Sequence, residues 1–249
     1  MRGFNTCAAL GVALLVSVGG AGVSNAATVN INSSGTGWYQ SNGLTTYPVN
    51  NSIVGWNNVT GATYNNWTQF NLSSLAGQTI TGATLTFRAN NGTYNGNDAS
   101  ETLGLFGFSG NINSLTNNQF NTANYTDLGD GPSYGTTVVN KVNGQLGAIT
   151  ITLSAQAIAD MMAAANSGDQ RFVIGGSLLT LALVHDGSNW YNDAALFFGG
   201  SLADPAFLSV DVAPVPLPAA LPMFASALAG GGLMAWRRKR KAAKAAAAA

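Results

Sequence analysis

Side chains that bind transition metals or carry out catalysis are scarce in this chain. Its 249 residues include one cysteine (Cys7), one histidine (His185) and one glutamate (Glu101). Zinc sites in proteins are built mainly from cysteine and histidine ligands, so this composition argues against zinc. His185 precedes Asp186, and Ser188 follows closely, but this segment is more simply interpreted as a strand end and its loop. We therefore expect a protein that is not an enzyme, with a polysaccharide-acting hydrolase as the less favoured alternative.

Basic residues are equally scarce between the two ends of the chain. Between Ala27 and Ala213 only Arg88, Lys141 and Arg171 are basic, against ten acidic residues, so three minus ten leaves this region a formal charge of −7. Nucleic-acid binding depends on lysine and arginine, and we expect none here.

The first 26 residues have the three parts of a signal peptide. Arg2 supplies the positive start, residues 8–18 form an apolar run, and Ser24-Asn25-Ala26 is an A-x-A-like cleavage site. We expect cleavage between Ala26 and Ala27. Cys7 would be removed with this peptide, so the mature chain would have no disulfide, and its length permits a hydrophobic core without one.

Residues 214–241 combine a short motif, an apolar span and a basic cluster, in that order. The motif is Val215-Pro216-Leu217-Pro218-Ala219, and the span covers about 217–236. Twenty helical residues measure about 30 Å, which matches the hydrocarbon core of a membrane. The basic cluster would remain cytoplasmic and stop transfer; it comprises Arg237, Arg238, Lys239, Arg240 and Lys241. Residues 242–249 form an alanine-rich tail.

This tail resembles the VPLPA variety of the PEP-CTERM sorting signal, which an exosortase recognises. The resemblance implies an exported protein of a Gram-negative bacterium, held briefly in the inner membrane and then released to the cell surface or extracellular matrix. Its partners would be the Sec machinery, exosortase and exopolysaccharide or biofilm matrix. A plain C-terminal membrane anchor is the alternative.

Residues 27–213 have the pattern of one all-β domain. Apolar and polar residues alternate with period 2, which predicts half-buried strands, and Gly- and Asn-rich loops separate them. The predicted strands are 28–32, 67–72, 84–89, 103–108, 136–142, 149–153, 172–175, 178–185, 194–198 and 208–212. The predicted core residues are Leu85, Phe87, Ile151, Leu153, Leu208 and Val210. One short helix is predicted from Ser154, a capping residue, to Ala165.

The segment from Trp67 to Ala89 resembles the early strands of DNRLRE-type domains. Phe70 and Leu72 precede a Ser-rich turn, and Ile80, Ala83 and Leu85 follow in an I-x-x-A-x-L pattern; Asp204 to Val212 is similar to the closing strand. These domains are extracellular jelly-roll sandwiches akin to carbohydrate-binding modules. The resemblance implies a jelly-roll-like antiparallel β-sandwich.

Two kinds of ligand residue accompany this fold. Aromatic rings near Gly and Asn residues are typical of sugar-binding surfaces, which makes a glycan-binding module the main functional alternative. The candidates are Trp38, Tyr39, Trp56, Tyr64, Trp67, Trp190 and Tyr191. Carboxylates on Gly-bearing loops offer hard oxygen ligands for calcium as a stabilising ion, although these loops also have ordinary turn chemistry. The calcium candidates are Asp127, Asp130, Asp186 and Asp193. We expect no other cofactor.

Overall fold

A computed structural model of the chain describes most of the region from Ala26 to Pro214. The described residues are 26–45, 51–57, 61–88, 92–96, 98–116, 120–181, 183–186, 189–192, 194–198, 206–214, 232, 236–237 and 239–240. The chain divides into two units, Asn25–Ala213 and the two ends together, Met1–Ser24 with Pro214–Ala249. The first unit contains the described strands and its own hydrophobic core, as an independently folding domain does.

The described part of the first unit is mostly antiparallel β-structure. Its strands are β1 (Ala27–Gln40), β2 (Ile53–Asn57), β3 (Ala62–Asn71), β4 (Ile80–Phe87), β5 (Thr93–Gly96), β6 (Ser100–Gly107), β7 (Ser133–Asn140), β8 (Ile149–Thr152), β9 (Arg171–Leu178), β10 (Leu183–Asp186), β11 (Asn189–Asn192), β12 (Ala194–Phe197) and β13 (Phe207–Val212). Its α-helices are α1 (Thr122–Asp130) and α2 (Ala155–Ala165), and short 3-10 helices cover Ser73–Leu75 and Ile112–Thr116. The all-β prediction is confirmed.

Four strands form the first sheet, in the order β1-β13-β4-β8. Leu208 on β13 lies between Ile31 of β1 and Leu85 of β4, and Leu85 in turn pairs with Ile151 of β8. The period-2 pattern places these apolar residues on one face. All six predicted core residues are buried, which confirms that assignment.

Strand β1 continues into the second sheet. From Ser33 onward β1 pairs with β3, with a register shift between Ser33 and Gly35. The other edge of β3 pairs with β9, and the sheet continues through β6 to β7. The start of β3 also pairs with β2, which leads to β12 and β5. Strands β10 and β11 form a separate hairpin.

The main core combines side chains from both sheets and from α2. Leu85 and Val210 come from the first sheet, Phe70 and Leu105 from the second, and Met161 from the helix. This arrangement is sandwich-like. Helix α2 begins as predicted, because the Ser154 side chain accepts a hydrogen bond from the Ala157 amide.

A second core cluster covers the other face of the second sheet. Tyr39 of β1, Trp67 of β3 and Val173 of β9 pack against Leu128 of α1 and Leu115 of the second 3-10 helix. Helix α1 is an addition to the one helix that the sequence predicted. Its sequence, TANYTDLGD, has too few apolar residues to produce a helical period, and its N-terminus is defined by the Asn121 side chain, which accepts from the Asn124 amide.

The predicted bounds of one strand are wrong. Residues 178–185 do not form a single strand, because β9 ends at Leu178 and β10 begins at Leu183. Between them the chain turns: the Leu179 amide donates to the Thr102 carbonyl, and the Thr180 hydroxyl accepts from the Thr102 amide. These bonds tie the turn to β6.

The sorting segments lie largely outside the described residues. Of the predicted signal peptide 1–26, only Ala26 is described, and both Ala26 and Ala27 are exposed. Among described residues, no helix has the length and apolar character needed to cross a membrane. Most of the predicted span 217–236 and the whole motif 215–219 fall outside that set. Both segments therefore stay predictions.

Candidate functional site

The structure buries five of the seven rings predicted to bind sugar. Trp38, Tyr39, Trp56 and Trp67 are 9%, 0%, 7% and 1% exposed, and Tyr64 is 9% exposed. Sugar stacking requires a free ring face, so the prediction is wrong for these rings as an exposed platform. Tyr39 and Trp67 are covered because α1 and the second 3-10 helix pack over their side of the sheet.

The contacts of these rings are those of a packed interior. The Trp38 indole N–H donates to the Asn51 side-chain oxygen at 2.8 Å, and its ring meets that of Tyr64 edge-on at 5.0 Å. The Tyr39 hydroxyl donates to the Ser114 carbonyl at 2.8 Å. Burial raises the pKa of Tyr39, with a smaller opposing effect from its hydrogen bond with Asn124. These contacts place the rings in the interior of the domain, where they contribute to packing.

Trp190 and Tyr191 are residues of strand β11. Trp190 pairs with His185 of β10, and Tyr191 pairs with Val184. The side chains of these residues lie outside the described part of the structure. Sugar binding by Trp190 and Tyr191 therefore stays a prediction.

Asp127 has a structural role that the calcium prediction did not anticipate. Its Oδ2 accepts hydrogen bonds from the amides of Ser109 and Gly110, both at 2.8 Å, and its Oδ1 accepts from the Ser109 hydroxyl at 2.9 Å. The carboxylate thereby holds the loop after β6 against α1. Asp130 is the exposed last residue of α1.

The side chains of the other two calcium candidates fall outside the described residues. Asp186 ends β10, with its side chain outside the described set, and Asp193 is not described at all. Among the side chains that are described, no group of three or more His, Cys, Asp or Glu residues could hold a metal ion. Calcium stays a prediction.

Of the residues considered for catalysis, the side chains of His185 and Asp186 and the whole of Ser188 lie outside the described part of the structure. His185 and Asp186 end strand β10, which agrees with their interpretation as a strand end. Glu101 is buried in β6, where its Oε2 accepts a hydrogen bond from the Thr180 hydroxyl at 2.5 Å. This contact fastens the turn after β9, a structural role.

A cleft that the sequence did not indicate lies between α2, β9 and the segments flanking α1. We call it the α2 cleft. Its volume is about 370 Å³. The side chains that define it are Phe108, Pro132, Tyr134, Gln156, Asp160 and Arg171, with Phe172 beneath. They come from four separate segments of the chain, so no local pattern could have revealed the site.

Tyr134 and Asp160 form the fixed centre of the α2 cleft. The Tyr134 ring stacks on Phe172 at 5.7 Å between ring centroids, and its hydroxyl donates to Asp160 Oδ2 at 2.8 Å. Gln156, one helical turn before Asp160, donates its side-chain N–H to Asp160 Oδ1 at 3.0 Å. Burial, the hydrogen bond and the charge of Asp160 raise the pKa of Tyr134, so the hydroxyl stays a proton donor.

Arg171 forms the opposite edge of the α2 cleft. Its Nε and Nη2 donate to the two carboxylate oxygens of Asp169, at 2.5 and 2.7 Å, and Nη2 also donates to the Asn113 side-chain oxygen at 2.9 Å. Hydrogen bonding from Arg171 lowers the pKa of the Asp169 carboxyl. Within the described residues, these bonds use Nε and Nη2 and leave Nη1 free to donate.

The backbone before Arg171 adopts an uncommon conformation. Gln170 has φ of +55°, in the left-handed region that residues with a side chain seldom occupy. Three contacts hold it there: its amide donates to the Ser167 hydroxyl, its carbonyl accepts from the Leu72 amide, and its side chain reaches the Ala165 carbonyl. The turn thus starts β9 immediately after α2 and sets Arg171 at the cleft.

The α2 cleft combines aromatic and apolar walls with the carboxylate of Asp160, the side-chain amide of Gln156 and the guanidinium edge of Arg171. Such a mixture suits a ligand with both hydroxyl groups and apolar C–H faces. No model of a known protein family matches this chain, and a search of curated proteins found no match.

Proposed function

We propose that this chain is an exported, exosortase-processed surface or extracellular-matrix protein, non-catalytic and associated with exopolysaccharide. The observation that carries the proposal is the order of the C-terminal signal: the motif 215–219, an apolar span and five consecutive basic residues. By its resemblance to the PEP-CTERM tail, this order belongs to an outward-facing protein anchored in the inner membrane until exosortase acts.

The boundary of the folded unit supports this organisation. The compact unit ends at Ala213, and the last strand, β13, ends at Val212. Only two residues separate that strand from Val215, the first residue of the motif. Cleavage near the motif would therefore release the domain without cutting into a strand.

We further propose that the domain is a jelly roll. Eight strands taken in chain order (β1, β3, β4, β6, β7, β8, β9 and β13) have the sheet orders β1-β13-β4-β8 and β3-β9-β6-β7. Renumbered from one to eight, these are 1-8-3-6 and 2-7-4-5, the arrangement of two interleaved Greek keys. Extracellular binding and structural domains commonly use this topology, which suits the proposed location.

Mass spectrometry of the host's surface and secreted fractions tests the proposal. The expected mature chain begins at Ala27 and ends near Val215 to Ala219, and deletion of the exosortase gene should make the C-terminal segment persist. A matched variant in which Pro216 and Pro218 are replaced by alanine should remain uncleaved. A mature protein that still contains Trp236 and the basic cluster would instead indicate a plain membrane anchor.

A glycan-binding module is the second candidate function, and the α2 cleft is the observation that favours it. A polysaccharide-acting hydrolase is less favoured, because within the described residues Glu101 and Asp127 are engaged in structural hydrogen bonds. The matrix and glycan-binding functions are compatible, since a matrix protein can be retained by the polysaccharide around it.

A further inference from the structure

We propose that the α2 cleft is a binding site for one or two units of a neutral saccharide chain. The inference rests on the proposed extracellular function and specifies which surface of the domain contacts the polysaccharide. It assigns the contact to Gln156, Asp160 and Arg171 rather than to the buried tryptophans.

The polar groups of the α2 cleft match the hydroxyl groups of a sugar. Each Asp160 oxygen accepts one internal hydrogen bond and retains capacity for another. Arg171 supplies the free N–H groups of Nη1, and Gln156 supplies its side-chain carbonyl. Adjacent hydroxyl groups on a sugar ring donate and accept together, so they can pair with a carboxylate and a guanidinium at once.

These polar groups are held in place before any ligand arrives. The Tyr134 hydroxyl and the Gln156 amide fix both oxygens of Asp160, and Asp169 with Asn113 fixes the Arg171 side chain. These side chains therefore lose little conformational freedom when a ligand binds, and the smaller entropic cost favours binding of a polar ligand that makes only weak contacts. The left-handed turn at Gln170 adds a backbone constraint at the same edge.

The walls of the α2 cleft complement the C–H faces of a sugar. Phe108 is half-buried and Pro132 is exposed, so both present apolar surface at the opening. Tyr134 and Phe172, which are 3% and 5% exposed, form a stacked support below them. A cleft of about 370 Å³ lies near the lower end of the range for small-molecule sites, which limits the ligand to one or two sugar units.

Electrostatics selects a neutral sugar over an acidic one. The charge of Arg171 is matched by Asp169, and Asp160 adds a negative charge to the same cleft. The region from Ala27 to Ala213 carries three basic and ten acidic residues. Uronate, sulfate and phosphate groups would be repelled by this field.

Titration of ¹⁵N-labelled residues 27–213 with cellotetraose, laminaritetraose and mannotetraose tests the site, with tetramannuronate as the acidic comparison. We expect at least one neutral tetrasaccharide to bind, with Kd on the order of 1 mM, and to shift the amide signals of Ser109, Gln156 and Arg171. Tetramannuronate should bind more weakly than that sugar.

Two variants and one matched control assign the binding to the α2 cleft. Gln156→Ala and Arg171→Gln should each weaken binding about twofold to tenfold, as expected for one or two hydrogen bonds. Arg88→Gln removes an exposed arginine that does not line the cleft, and it should leave the affinity unchanged. Spectra of the free variants should keep the wild-type dispersion, which excludes misfolding as the cause.

The proposal is overturned if none of the three neutral sugars gives saturable shifts, if the shifts lie away from the cleft, or if Arg88→Gln weakens binding as much as Arg171→Gln. Stronger binding of tetramannuronate would also overturn it. Processing of the C-terminal signal is a separate readout: Gln156→Ala and Arg171→Gln should still be exported and cleaved. Failure of the site is thereby distinguished from failure of the proposed location.

Discussion

Individual side chains in this domain serve roles that their sequence context did not suggest. Trp67 stands next to asparagine and threonine, and alternation with Phe70 places it on the opposite side of β3 from the main core. It is nonetheless 1% exposed, because α1 and the second 3-10 helix form a second apolar cluster around it. An aromatic residue near polar neighbours therefore does not by itself indicate a binding surface.

Asp127 permits a test of the calcium hypothesis at the residue scale. Asp127→Ala removes three hydrogen bonds to the loop after β6, two from amides and one from a hydroxyl. Because Ser109 and Gly110 are exposed and can bond to water instead, we expect a loss of only about 1 kcal/mol, or about 3 °C in Tm. Thermal unfolding of residues 27–213, in calcium and in a chelator, would measure it.

The matched control is Asp130→Ala, which alters the exposed second member of the predicted calcium pair. It should change Tm little, and the chelator should leave the wild-type Tm unchanged. If the chelator lowers the wild-type Tm and Asp127→Ala removes that effect, then Asp127 binds calcium. The reason is that an ion bound only to the native state stabilises that state.

At the scale of elements, α1 determines which face of the second sheet is available. It packs so closely on β9 that a Cβ atom at Gly175 would lie 2.3 Å from the Leu128 carbonyl oxygen. Leu128, in turn, is fully buried in the second core cluster. The small residue in β9 and the apolar residue in α1 thus act together, although 46 intervening residues separate them.

We expect Gly175→Ala to displace α1 and to destabilise the domain by about 1–3 kcal/mol, because the backbone of a neighbouring element cannot yield as a flexible side chain can. Thermal unfolding would measure the loss, and the tryptophan emission of the domain should shift to longer wavelength as the cover of Trp67 loosens. Gly147→Ala is the control, since a Cβ there meets nothing within 4 Å. Equal Tm values for the two variants would refute the close contact.

At the scale of the whole molecule, the first and last strands of the domain are neighbours. Strand β13 lies between β1 and β4 in the interior of its sheet, and Leu208 and Val210 are fully buried. The first sheet therefore cannot be completed until the chain as far as Val212 is available to fold. In the export that we propose, the fold would be completed only after nearly the whole domain had crossed the membrane.

Truncation tests this dependence. Residues 27–206, which lack β13, should show no cooperative thermal transition by circular dichroism, because β1 and β4 lose their shared partner. Residues 27–213 should unfold cooperatively. A cooperative transition in the shorter chain would show that β13 is dispensable and that the sheet can close without it.

The sequence by itself determined those features that depend on neighbours in the chain. Period-2 alternation identified the strand faces that carry Leu85, Ile151 and Leu208, since each face is set by adjacent positions alone. The Ser154 cap and the apolar spacing after it identified α2 for the same reason. The proposed sorting signal is also local, because its motif, span and basic cluster are consecutive.

Only the tertiary structure decided which surfaces are covered and which form the α2 cleft. Helix α1 has almost no apolar period, so its position over Trp67 depends on packing against β9, far away in sequence. The cleft joins Tyr134 of β7, Asp160 of α2 and Arg171 of β9, and the Tyr134 hydroxyl donates to Asp160 through a hydrogen bond that no local spacing rule predicts. Burial and convergence are properties of contacts between distant segments, and those contacts exist only in the folded chain.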